Sequence, residues 1–326
     1  MNRPQRSHES VLNEAVFESV LENFRSIVDK TGSHLRMDSV MISQGDTVFR
    51  RDFTDDPVND LRSVSKPTLC LAIGIALEEG LILRGQRIGL DTAIWPFFEE
   101  KVELRNLRNR HSLSRVKLRH LLNHTIGYDV GLMFSKDLKD RDPDRLLDYI
   151  FNTEIIHEPG SRFVYSNVGP YIFSALIGEE LGVNLSTWVE RHLFNKIGIS
   201  NYNWKNYGPY CAACTGLRLS MSDLHTIAKL LVNDGRFEGQ QVVPAAWVAA
   251  MRRPQVETPT MYDESRVFPK YAYGYYLYIC KNGTYYCDGT DGQYLIVLPK
   301  SSVVITTFGH QSDMKPITEC LRPLLW

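Results

Sequence analysis

The sequence predicts an α+β (α/β-type) fold in which both chain ends supply strands to one antiparallel sheet and a long helical stretch is inserted between them. Three observations carry this prediction. Strand-like runs occur around residue 40 and again after residue 275, and apolar residues at helical spacing fill much of the interval between. No repeat, low-complexity tract or Gly/Ser linker divides the 326 residues. The expected organisation is a single domain, 1–326, in two lobes. An α/β lobe takes about 10–66 and 251–326, and a helical lobe about 67–250.

The elements follow in chain order. Val11, Phe17, Val20, Leu21, Phe24, Ile27 and Val28 recur at helical spacing and predict a first helix within 11–30. Val40-Met41-Ile42 and Val48-Phe49 flank Gln44-Gly45-Asp46, a hairpin signal. The middle predicts helices over Thr68–Glu79, Leu118–Leu122, Asp144–Phe151, Pro170–Leu181, Leu185–Phe194 and Ser222–Val232. Tyr275–Ile279 runs into Asn282-Gly283, a dipeptide suited to tight hairpin turns. Tyr294–Leu298 and Val303–Thr307 follow, parted by a polar turn, and the three runs predict an antiparallel meander. Met314–Leu325 predicts a closing helix packed on that sheet.

Composition excludes several function classes. Hydrophobic residues make up 43% and charged residues 23%, the balance of a globular chain with a large core. The net charge is −1 with no basic stripe, which argues against a nucleic-acid partner. No run approaches the length of a membrane span, so no membrane partner is expected. Met1–Ser10 has basic residues but no apolar core after them, so it does not read as a signal peptide and the chain is expected to be cytoplasmic. Six cysteines are too sparse for a disulfide scaffold. Cys211-Ala-Ala-Cys214 is half of a zinc pattern with no second pair at ligand spacing. No metal, no other cofactor and no oligomeric state is indicated.

Three segments carry candidate chemistry. Ser63-Val64-Ser65-Lys66 precedes Pro67 and an apolar run, and Pro is tolerated in a first helical turn. Residues three apart share a helix face, so the Ser63 hydroxyl and Lys66 amine can meet. A serine hydroxyl needs an adjacent base, and backbone N–H groups at a helix start favour an oxyanion. The alternative is an N-cap serine and a surface lysine. Tyr165-Ser166-Asn167 follows the turn Glu158-Pro159-Gly160-Ser161. The Tyr165 phenol can relay a proton and the Asn167 amide can orient a substrate, or the segment is a turn with an Asn cap. Cys287-Asp288-Gly289-Thr290 lies where the second meander strand begins; its glycine permits close substrate approach, or it is a Gly-rich turn.

In this order the three segments resemble the serine β-lactamases and penicillin-binding proteins, most of all the class C β-lactamase branch with its esterase and D-aminopeptidase relatives. Leu121-Leu122-Asn123-His124-Thr125-Ile126-Gly127, Gly216–Leu224 and Tyr273-Gly274-Tyr275 resemble further segments of that branch, so the likeness runs from about residue 40 to 310. The resemblance implies a β-lactamase/transpeptidase-like fold. It implies Ser63 as nucleophile, Lys66 as its base and Tyr165 as proton shuttle. Asn167 would position Lys66 and the substrate amide, and the backbone N–H groups of Ser63 and Thr290 would form the oxyanion hole. His124 is expected to be structural, with its ring satisfied in the core.

One departure bears on substrate. The family usually has Lys-Thr-Gly or His-x-Gly where this chain has Cys287-Asp288-Gly289. A neutral thiol beside Asp288 and Asp291 disfavours a carboxylate-bearing substrate. Cys287 has no evident basic neighbour to make it reactive. The expectation is a serine hydrolase acting on a small neutral or amine-bearing ester, amide or peptide. Tyr128, Tyr271, Tyr273 and Tyr275 hint at an apolar or aromatic substrate. The alternatives are an acyltransferase or peptide cyclase/transpeptidase using the same acyl-enzyme, and a catalytically silent ligand-binding member. No G-x-S-x-G elbow and no H-E-x-x-H occurs, which argues against an α/β-hydrolase or zinc hydrolase.

Overall fold

The structure, a computed structural model, describes residues 11–55 and 58–325. Met1–Ser10, on which the expectation of no signal peptide rests, lies outside the described residues. Among the described residues no helix is long and apolar enough to cross a membrane.

Helix α1 spans Glu14–Ser26 and buries Phe17, Val20, Leu21 and Phe24 on one face. Asn13 caps it, its side chain accepting from the Val16 N–H at 3.0 Å. Strands β1 (Met37–Gln44) and β2 (Thr47–Asp52) form the expected hairpin, with Gly45 at φ 57° in the turn. A short strand β3 (Val58–Asp60) follows, and helix α2 (Ser65–Glu79) begins after a single 3₁₀ turn, Arg62–Val64. Helices α3 (Leu118–Leu122) and α4 (Val168–Leu181) lie in the middle of the chain. Strands β4 (Asn203–Trp204) and β5 (Leu217–Ser220) pair beside β3 in a small sheet ordered β3-β5-β4. Helix α5 is Met221–Val232. The C-terminal strands are β6 (Val256–Glu257), β7 (Ala272–Tyr273), β8 (Tyr278–Ile279), β9 (Tyr285–Gly289), β10 (Gln293–Leu298) and β11 (Val303–Gly309), followed by helix α6 (Lys315–Cys320).

The large sheet has the order β6-β7-β8-β9-β10-β11-β1-β2. Strands from the two chain ends therefore meet inside it, with Val40 opposite Thr307 and Ile42 opposite Ile305. Its two faces are covered differently. Ser43 points to α5, where His225 lies between Ser43 Oγ (2.7 Å) and Thr306 Oγ1 (2.8 Å). Burial pushes the His225 pKa down to about 3, so the ring is neutral and its two nitrogens serve those hydroxyls. The neighbouring pair Ile42–Phe49 faces the other way, and Phe17 of α1 stacks on Phe49 at 5.1 Å.

Helix α2 is apolar on all sides and is buried from Ser65 to Ala76. Such a helix needs neighbours all round. Gly74 provides the closest approach: a Cβ there would meet the Trp247 ring at 2.0 Å, and Trp247 Nε1 donates to the Cys70 carbonyl at 2.8 Å. Gly80, at φ 85°, ends the helix.

Several expectations are adjusted by tertiary contacts. Tyr275 and Tyr276 were expected in a strand, but Tyr276 takes φ 57° and its N–H donates to the Leu122 carbonyl, while Tyr275 N–H donates to Met251. Those contacts dock the segment on α3 and on the end of the helix Ala245–Met251, so the strand begins only at Tyr278. Of the stretch expected either to open a strand or to form a Gly-rich turn, Cys287, Asp288 and Gly289 belong to β9 and Thr290–Gly292 form a 3₁₀ turn after it, so the meander gains a strand. The Asn282-Gly283 turn joins β8 to β9. Helix α5 falls in the interval assigned to the helical lobe, yet packs on β10, β11 and β1. The closing helix is shorter than expected, because Pro316 starts α6 and Pro323 follows in a separate 3₁₀ turn.

The Gly74–Trp247 contact leaves no room for a methyl group. Gly74→Ala is expected to destabilise the protein by about 2 kcal/mol through overpacking, measured by chemical denaturation. A variant as stable as the parent would show that Trp247 can move aside.

Candidate active site

Ser63 lies in the 3₁₀ turn that feeds α2, on a strained backbone. Arg62 takes φ 50°, a conformation that costs a non-glycine residue energy unless its surroundings enforce it. Here two carboxylates do so. The Arg62 guanidinium pairs with Asp60 (3.0 Å) and Asp291 (3.0 Å), and its backbone N–H donates to Asp60 Oδ1 at 2.8 Å. Asp60 Oδ1 also accepts from the Gly216 N–H, tying the turn to the start of β5.

Lys66, one helical turn on, has no exposed surface. Its ammonium has three donors and finds three acceptors: Ser63 Oγ at 2.9 Å, Tyr165 Oη at 3.0 Å and the Cys214 carbonyl at 3.2 Å. Burial acts to lower its pKa; the facing groups of Tyr165, Cys214 and Cys287 act the other way and hold it above its ordinary 10.5. Burial raises the Tyr165 phenol above its usual value as well, against the pull of Lys66. Both groups therefore hold their protons to higher pH than usual.

Tyr165 is placed by a chain segment stapled to the loop after α3. Gly160, at φ 93°, donates to the Thr125 carbonyl, Val164 to that of His124, and Asn167 to that of Leu132. The ring is packed by His124 (4.8 Å), Tyr278 (6.1 Å, stacked) and Phe134 (6.5 Å, stacked). His124 is buried and held neutral by burial and by Lys66. Its ring is not satisfied as expected, since Nε2 has no partner among the described residues and the contacts are aromatic.

The other expected residues divide. Ser63, Tyr165, Asn167, Asp288, Gly289 and Thr290 line one cleft of about 360 Å³. Asn167 does not reach Lys66: its Nδ2 donates to the Met133 carbonyl at 3.1 Å, and Cys214 takes the place on Lys66. Its buried Oδ1 has no partner among the described residues. Cys287 is buried under the Ser63 turn and is not part of the cleft lining; its Sγ lies 3.3 Å from the Ser63 carbonyl. Lys66 and Lys270 do act on this thiol, contrary to expectation, but burial and then Asp288 outweigh them and push its pKa up to about 12. Gly289 is where β9 touches the Ser63 turn, since a Cβ there would sit 2.7 Å from the Leu61 carbonyl and 3.1 Å from the Ser63 nitrogen.

The aromatic hint moves. Tyr128, Tyr271, Tyr273 and Tyr275 are packing residues outside the lining, and the cleft's rings come from Phe134, Tyr165, Tyr207 and Tyr278. A larger surface hollow of about 600 Å³, bounded by Arg105, Arg141 and Tyr149, contains no serine or lysine. Among the described residues no three His, Cys, Asp or Glu side chains are grouped to hold a metal.

A sequence model of the family described as Beta-lactamase matches residues 25–317. The chain belongs to the β-lactamase family. Solved structures agree on the fold. EstCE1, a hydrolase with promiscuous acyltransferase activity, superposes with a TM-score of 0.74 at 16% identity, covering 96% of this chain and 99% of its own. A penicillin binding protein from Bacillus halodurans gives 0.69 at 16% identity, covering 95% and 99%. A mutant of simvastatin synthase (LovD) from Aspergillus terreus gives 0.69 at 15%, covering 95% and 97%.

Within this β-lactamase-family cleft one group escaped sequence reasoning. Lys270, just before β7, reaches Asp288 at 2.8 Å and lies 3.8 Å over the Tyr278 ring. It is the lone charge in the run 267–280. A single charge in an apolar and aromatic stretch is the signal of a buried, partnered side chain.

Because Gly289 leaves no space for a side chain against the Ser63 turn, Gly289→Ala is expected to lower kcat/KM for a reactive ester by about tenfold or more while circular dichroism stays unchanged. Full activity would show that β9 does not set the geometry at Ser63.

Proposed function

We propose that the chain is a serine hydrolase that cleaves a small ester or amide through an acyl-serine intermediate on Ser63. The observation that carries this reading is the buried amine of Lys66, bonded at once to the Ser63 hydroxyl and the Tyr165 phenol, both of which line the cleft. A hydroxyl, a masked amine and a phenol in contact form a proton relay with the nucleophile at one end.

The steps follow from that contact. Loss of one proton from the Lys66–Tyr165 pair leaves an acceptor beside Ser63 Oγ. Oγ adds to the substrate carbonyl as its proton passes to the pair. Backbone N–H groups of Ser63 and Thr290 bind the oxyanion. Collapse breaks the bond to the leaving group, which takes its proton from Tyr165. Water then adds to the acyl-serine, giving its proton to the pair, and the second collapse returns the proton to Ser63 Oγ. Asn167 Oδ1, with no partner among the described residues, is suited to accept a hydrogen bond from substrate.

A second reading keeps the intermediate and changes the acceptor. Two structural relatives carry acyltransferase or synthase in their descriptions, and an alcohol or amine in place of water would make this chain a transferase. A silent binding protein is the less economical reading. Nothing in binding alone calls for a fully buried lysine held against a serine hydroxyl.

A fluorophosphonate should label Ser63, located by peptide mass spectrometry, and Ser63→Ala should abolish both label and turnover of a chromogenic ester. Lys66→Met should lower kcat by about 10³-fold. The absence of both label and turnover in the parent would overturn the hydrolase reading. Added alcohols that divert acyl groups from water would favour transfer.

The pH profile has a defined sign. Lys66 and Tyr165 both hold their protons to higher pH than usual, and the reactive form lacks one of them. Thus kcat/KM should climb about tenfold per unit from roughly pH 6 to pH 9. A plateau at neutral pH would mean that the pair is already deprotonated there.

A further inference from the structure

We infer that Asp288 is a specificity-determining residue that neutralises Lys270 and thereby turns the cleft away from anionic substrates. The inference rests on the acyl-enzyme reading above and extends it to substrate charge.

The third-motif position, held by Cys287, supplies no charge to the cleft. Lys270 brings one from another part of the chain. Its side chain is 8% exposed, lies against the face of Tyr278, and ends 2.8 Å from Asp288 Oδ2, whose side chain is 19% exposed. Both residues line the cleft that contains Ser63. An incoming carboxylate would feel Lys270 and Asp288 at similar distances and opposite sign, so the attraction largely cancels while its desolvation remains unfavourable.

The other cations of the cleft lining, Arg62 and Lys205, do not restore the attraction. Arg62 is shared between Asp60 and Asp291. Lys205 is exposed, where water and salt screen it. The cleft wall beside Thr290 is thus polar and close to neutral because one side chain cancels another. Cancellation of this kind is reversible by a single substitution. Asp288→Asn keeps the shape and an acceptor oxygen for Lys270 but removes the negative charge, and a substrate carboxylate can then serve as the counter-ion.

The test compares matched esters at low salt: 4-nitrophenyl acetate with mono-4-nitrophenyl succinate, which carries the carboxylate on the acyl side, and phenyl acetate with 4-acetoxybenzoate, which carries it on the leaving group. The parent should prefer the neutral member of each pair. In Asp288→Asn the anionic-to-neutral ratio of kcat/KM should rise by about tenfold or more for at least one pair, mainly through KM. Lys270→Met combined with Asp288→Asn should erase the gain. A parent that prefers the anionic esters, or an Asp288→Asn variant with an unchanged ratio, overturns the inference. Fluorophosphonate labelling of the parent separates the two claims. If Ser63 labels and the ratio does not move, only the charge inference falls; if Ser63 does not label, the hydrolase reading falls first.

Discussion

An ammonium with no exposed surface must be answered from within the protein, and the answer given to Lys66 organises the molecule. Leaving such a charge unpartnered would be strongly destabilising. Its three acceptors come from three separate stretches: Ser63 on its own helix start, Tyr165 before α4, and Cys214 before β5. Each stretch is fixed by its own supports. The Ser63 turn is pinned by the two carboxylates on Arg62, the Tyr165 segment is stapled to the loop after α3, and the Cys214 backbone turns sharply after Ala213, at φ 60°. The apolar helix α2 holds the lysine in place because all of its faces are buried.

Around that charge the interior is aromatic rather than ionic. His124, Tyr165, Tyr273, Tyr276 and Tyr278 pack ring to ring beside Lys66, and His124 is kept neutral by burial and by the same ammonium. Rings supply bulk without a competing charge. The second buried cation, Lys270, shares the arrangement, since it too lies on a tyrosine face. Lys66 touches Tyr165, Lys270 touches Tyr278, and the two tyrosine rings are stacked on each other.

Much of this was legible in the sequence where the information is local. The spacing of Ser63 and Lys66, the start of α2 near Pro67, the hairpin at Gly45 and the run of Leu118–Leu122 are set by neighbours within a few residues. Fold class followed from the same signals, because strand patterns stood at both ends of a helical middle. What escaped was non-local. That Cys214, and not Asn167, completes the shell of Lys66 depends on a backbone carbonyl, which residue type does not reveal. Tyr275 and Tyr276 have the composition of a strand and are pulled from it by hydrogen bonds to Met251 and Leu122. Cys287 sits where the family resemblance leads one to expect a cation, and its side chain lies under the Ser63 turn rather than in the cleft. The charge for that wall comes from Lys270, and only its isolation among apolar neighbours betrays it.

The pairing of β1 with β11 has a consequence for how the protein comes into being. Residues 37–44 have their sheet partner at 303–309, so the first long strand waits through the synthesis of the whole intervening stretch before its far neighbour exists. Helix α2 emerges early with its lysine, but Tyr165 and Cys214 follow about a hundred and a hundred and fifty residues later. Until they arrive an almost wholly apolar helix and a strand edge are left uncovered, the kind of surface that draws chaperones and invites aggregation. Long sequence separation of this order also slows folding, because distant segments must find each other before any contact rewards them. Strands β9, β10 and β11, translated long after Ser63 and Lys66, complete the sheet, and β9 brings Asp288 and Gly289 to the cleft, so a ribosome-bound chain lacking them would have its serine and lysine and still no finished cleft around them.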